Sequence, residues 1–81
     1  MSLANKYDSL SSSIFRLPFT PHNVCVIAKE IDKNVEVEEY EDKAVVVTNE
    51  PEPFGTKFQH VFVDRLKITY RNGRMTVSKR V

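Results

Sequence analysis

The chain has 81 residues, is 41% hydrophobic with five Phe, and carries a net charge of +1. That is one domain with a small core, of modest stability (about 4–12 kcal/mol), and it excludes a second core and compositional disorder. It also leaves little room for the large cleft of an elaborate enzyme. The near-neutral total hides a division. Residues 30–52 hold nine acids against Lys33 and Lys43, and residues 54–81 hold seven bases against Asp64 alone. Segregated charge steers partners more than it sets a fold.

Residues 1–18 begin with a polar, Ser-rich stretch over 1–13, and Leu3, Tyr7, Leu10 and Ile14 recur at helical spacing. They predict a short docked helix or a frayed tail ahead of a single domain over 19–81. Thr20-Pro21 then supplies an N-cap and a first helical position. Val24, Ile27, Ala28 and Ile31 follow at i, i+3, i+4 and i+7, which predicts an amphipathic helix over 21–33 that Asn34 closes in a left-handed conformation. β-Branched Val24, Val26 and Ile27 leave a strand as the competing reading, which would make the chain a small, mostly-β barrel.

Val-rich segments over 34–40 and 43–49 predict two strands joined by Glu41-Asp42. Pro51, Pro53 and Gly55 predict a loop over 50–55. The stretch 57–71 contains neither Gly nor Pro and predicts one long strand, bent or bulged at Asp64. Asn72-Gly73 is the strongest local signal, because both residues tolerate positive φ and together suit a type I′ hairpin. The expected architecture is α+β: an antiparallel meander of about four strands, one helix packed on it, and a C-terminal hairpin. No internal repeat is visible.

A two-residue turn fixes the hairpin register. Arg71 should face Arg74, Tyr70 Met75, Ile68 Val77, Leu66 Lys79 and Arg65 Arg80. One face then carries Tyr70, Met75, Ile68, Val77 and Leu66, the expected core side. The other carries Arg65, Lys67, Arg71, Arg74 and Arg80, the candidate anion- or partner-binding residues. Like charges directly opposite one another weaken a sheet, so something should offset them: water, an acidic cover or an anionic partner. The candidate acidic patch is Glu36, Glu38, Glu39, Glu41 and Asp42.

Chemistry-bearing constellations are sparse. Cys25 stands alone in an apolar run and predicts a buried, inert thiol; with no disulfide, no signal peptide and no apolar stretch longer than five residues, a cytoplasmic setting is expected, and a viral or phage chain would look the same. His60 and Asp64 would share a strand face, but no nucleophile is spaced to complete a triad. One Cys and two His fit no zinc spacing, the acidic run lacks a calcium-loop pattern, and two glycines make no phosphate loop. No cofactor, no small-molecule substrate and no membrane association is expected. The chain is therefore expected to be a non-catalytic interaction module. A protein partner or a homo-oligomer would engage complementary acidic and basic surfaces and a sheet edge. Nucleic acid held by the cationic hairpin face is the alternative.

Overall fold

A computed structural model describes residues 16–80 of the chain; the expectations for residues 1–15 lie outside them. Six elements follow in order: α1 (Pro21–Ile31), β1 (Glu36–Glu39), β2 (Lys43–Val47), α2 (Pro51–Val61), β3 (Leu66–Arg71) and β4 (Arg74–Lys79). The fold is small α+β, with a four-stranded antiparallel open sheet in the order β1-β2-β4-β3 and a C-terminal hairpin.

α1 starts where its chemistry directs. The Asn23 N–H donates to Thr20 Oγ1 at 3.0 Å, and Pro21 occupies a position whose N–H would have no helical acceptor. Val24, Ile27 and Ala28 are buried, and Ile31 is partly exposed at the helix end. The helix stops earlier than predicted, at Ile31, and not through a left-handed Asn34. Asp32 is extended and its Oδ1 accepts the Asn34 N–H at 3.0 Å, so a side-chain turn redirects the chain.

The second helix is the main departure from the sequence expectation. Residues 51–61 are α2, not a loop followed by strand. Pro51 and Pro53 fall in the first turn, where backbone N–H groups lack intrahelical acceptors, so neither breaks the helix. Phe54, Phe58 and Val61 recur at i, i+4 and i+7 and are buried. Val63 is exposed, and of the expected long strand only residues 66–71 form one, with Phe62 making an isolated bridge to Leu17.

The hairpin keeps its predicted register, from Arg71 opposite Arg74 to Leu66 opposite Lys79. Asn72 (φ +52°) and Gly73 (φ +76°) take the two positive-φ turn positions. Tyr70, expected in the core, is 43% exposed, and its hydroxyl donates to the Thr48 carbonyl at 2.8 Å.

The strand order is not that of a simple meander. β4 lies between β3 and β2, so α1-β1-β2 and α2-β3-β4 are two αββ halves joined along a β2/β4 seam. Val45 faces Thr76 at the seam's middle. A two-fold relation through that pair carries Val35 to Leu66, Val37 to Ile68, Ala44 to Met75 and Val46 to Val77. No repeat is visible in the sequence because the related residues share polarity, not identity.

One core cluster joins both helices to one sheet face. It contains Val24, Ile27, Ala28, Phe54, Phe58, Ala44, Val46, Met75 and Val77, with Leu17 and Phe19 packed against it. Leu17 is bound into the domain by 3.0 Å backbone bonds to Val61 and Val63. Phe58 and Phe62 pack in a tilted arrangement at 6.1 Å between ring centroids, and Phe19 meets Phe62 edge-on at 5.8 Å.

Candidate functional site

The sheet face opposite the helices carries the charge. Pleating brings Glu36, Glu38, Lys43, Val45, Val47, Arg74, Thr76, Ser78, Lys67, Thr69 and Arg71 to that face. Its sign changes from one side to the other. β1 is acidic, β2 and β4 carry a Val/Thr middle, and β3 is basic. Val45 is only 5% exposed yet stands outside the helix-side core.

Arg74 crosses this face. Its guanidinium donates to Glu38 Oε1, two strands away, so the side chain spans β2 beside Val45 and Val47. The same Glu38 oxygen accepts the Tyr40 hydroxyl at 2.7 Å, and Lys43 sits 5.5 Å from the Tyr40 ring centroid. The guanidinium and then the phenol hold the Glu38 carboxyl below its ordinary range. Glu38 in turn raises the pKa of both Arg74 and Tyr40. Of the five basic candidates, Arg74 is therefore the one already paired with an acid. Among the described residues, Arg65, Lys67, Arg71 and Arg80 form no salt bridge.

Those four divide in two. Lys67 and Arg71 stand on β3, an edge strand. Arg65 and Arg80 face one another past the hairpin's open end, where the Arg80 N–H donates to the Arg65 carbonyl at 2.8 Å. With Arg16 they line a depression of about 320 Å³, and Arg16 itself donates to the Phe62 carbonyl at 3.3 Å. Asp64 lies at the same place, accepting the Phe19 N–H at 2.7 Å and facing Lys79 at 3.7 Å. Arg16 was not legible as part of this group, because its place depends on the Leu17 bridge to α2's end.

The acidic candidates stay together at the opposite side. Glu36 and Glu38 face outward from β1, Glu41 and Asp42 occupy the β1/β2 turn, and Glu39 turns toward α1. There its carboxylate lies 3.4 Å from His22 Nδ1. Cys25 is half-buried rather than fully buried; desolvation, helped by the nearby Glu39 carboxylate, pushes the thiol's pKa up and keeps it from the reactive thiolate. The conceivable His60–Asp64 contact is absent: His60 is exposed on α2, and Asp64 is occupied as described. Among the described residues, no group of three or more His, Cys, Asp or Glu is placed to hold a metal ion. No described helix is long and apolar enough to cross a membrane.

A groove of about 790 Å³ runs between α2 and β3, with Pro51, Gly55, Gln59, Ile68 and Met75 among its lining residues. It lies on the helix side of the β3 edge. Sequence reasoning missed it because α2 itself was missed. No protein-family model, characterised protein or solved structure matches the chain, so the geometry alone carries the functional reading.

Proposed function

We propose that the chain is a non-catalytic interaction module that self-associates through oppositely charged, open sheet edges. The observation that supports this is the placement of the two charge groups. Glu36 and Glu38 stand on β1 and Lys67 and Arg71 on β3, and these are the two outer strands of one sheet. Each has a single strand neighbour among the described residues, which leaves backbone groups for a partner. Cytoplasmic residence belongs to the same reading, in keeping with the lone, protonated Cys25.

Light scattering across protein concentration and ionic strength tests it. Average mass should rise with concentration at low salt and fall back to that of the monomer at high salt, where exposed charges are screened. A monomer under every condition overturns the proposal.

Nucleic acid is the second reading, favoured by the grouping of Arg16, Arg65 and Arg80 at one depression. With Arg74 paired, contact of five phosphates by Arg16, Arg65, Lys67, Arg71 and Arg80 would give a log–log salt slope of about −4.5 on duplex DNA. Absence of binding to labelled duplex and single strands at low salt removes this reading.

A further inference from the structure

The pattern of the ladders shows which backbone groups of the outer strands are open among the described residues. Opposed residues in antiparallel pairs alternate between exchanging both hydrogen bonds and exchanging none. The Arg80 N–H bonds the Arg65 carbonyl, so Lys67, Thr69 and Arg71 direct their backbone groups to β4. Leu66, Ile68 and Tyr70 direct theirs outward. The Tyr40 N–H likewise bonds the Lys43 carbonyl at 2.9 Å, so the backbone groups of Glu36 and Glu38 point to β2 and those of Val37 and Glu39 point away from it. The preceding outward position, Val35, is already satisfied: its N–H donates to Asp32 and its carbonyl accepts Lys29 Nζ at 2.9 Å.

From this geometry we infer that β1 of a second copy adds antiparallel to β3, joining copies head to tail into an open chain. The inference rests on the self-association reading above and specifies its contacts. The register sets Val37 of one copy against Ile68 of the next, Glu38 against Lys67, Glu36 against Thr69 and Glu39 against Leu66. Val37 and Ile68 then exchange backbone bonds, as do Glu39 and Leu66, about four bonds in all. Glu36 lies diagonal to Arg71 and Lys67, within reach of long side chains. Val37 and Ile68 both belong to the helix side of their sheets, so the layers continue across the junction. The groove between α2 and β3 adjoins Ile68 on that side and leaves space beside the incoming Val37.

The distribution of sign argues for this pairing over the others. A chain guarding both edges against its own copies would carry one sign on both, so that every pairing repels. Here the edges carry opposite signs. β1 against β1 and β3 against β3 are repelled, and β1 against β3 is attracted. Such a contact is heterologous and does not close on itself as a symmetric pair does. It is one strand wide, below the area of a standard stable interface, and so concentration-dependent.

Charge exchange tests it on side chains that are exposed. Glu36→Lys and Lys67→Glu should each be monomeric at low salt where the unaltered chain associates. An equimolar mixture of the two should associate again, as should the double variant carrying both changes. Ile68→Pro, which removes an outward N–H while sparing the β3/β4 ladder, should also be monomeric with the far-ultraviolet spectrum retained. Mass should continue past the dimer as concentration rises. Association of either single charge variant at the unaltered level, a monomeric mixture, or mass that levels off at a dimer overturns the inference while leaving salt-sensitive association standing. A monomeric unaltered chain at low salt removes both.

Discussion

α1 lies across β1, β2 and β4, whereas α2 meets the sheet chiefly at β3 and leans on α1. The two helices occupy related places in their αββ halves, yet the first seats closely and the second stands off. Side-chain size accounts for the difference. α1 offers Val24, Ile27 and Ala28 to Ala44 and Val46, and small groups let helix and sheet approach. α2 offers Phe54 and Phe58, whose rings hold it away from the sheet and leave the groove over Ile68 and Met75. The same arrangement of elements is thus a tight, acidic half and a looser, basic half.

The largest effect should come from the rings that hold α2. Phe58 is fully buried, and Phe58→Ala should cost about 3–5 kcal/mol in urea unfolding, a large share of the stability of a domain this size. A much smaller loss would show that α2 contributes little to the common core. The two turns come next. Gly73 at φ +76° sits where a Cβ is disfavoured, so Gly73→Ala should cost about 1–2 kcal/mol. The equivalent β1/β2 turn contains no positive φ, and Asp42→Ala should stay within about 0.5 kcal/mol by the same measurement.

The helix starts separate the halves again. Thr20 accepts a capping bond and Glu50 accepts none. Thr20→Ala should therefore cost about 1 kcal/mol, and Glu50→Ala less than about 0.5 kcal/mol. Equal losses would mean that the cap is not what starts α1.

The smallest effect is on titration, at the one side-chain ion pair that, among the described residues, spans the seam. Glu38 binds Arg74 in the folded state, so its folded pKa lies below that of the unfolded chain, near 4.5. Its contribution to stability is complete above the unfolded value and is lost as pH falls through the lower folded one. A carboxyl resonance for Glu38 titrating below 4.5, returned upward by Arg74→Gln, would show the pairing; an unchanged midpoint would refute it.

Local signals were legible in the sequence and relations across the chain were not. Thr20-Pro21 acts through a side-chain cap and a fixed φ, and Asn72-Gly73 through positive φ, all within a few residues, so α1's start and the hairpin register followed directly. α2 was hidden by its composition: two prolines and a glycine in its first turns resemble a loop, and Val61-Phe62-Val63 at its end resembles a strand. The spacing of Phe54, Phe58 and Val61 was the signal that could have found it. The β2/β4 seam joins residues separated by all of α2, and nothing local encodes it. The charge division was legible as composition and the hairpin face as register. The Arg74–Glu38 pair was not, because it depends on β2 lying between the two partners.

Thr48 lies outside the regular elements, yet both of its backbone groups are held by the opposite half. Its N–H donates to the Gly73 carbonyl at 2.9 Å, and its carbonyl accepts the Tyr70 hydroxyl. The stretch between β2 and α2 is therefore tied at the point where a free connector would first open. Amide exchange and protease cleavage there should follow opening of the Asn72-Gly73 turn more than the length of the segment. The far hairpin thus ties down the connector between the halves, and a slip of one residue in its register would break both bonds.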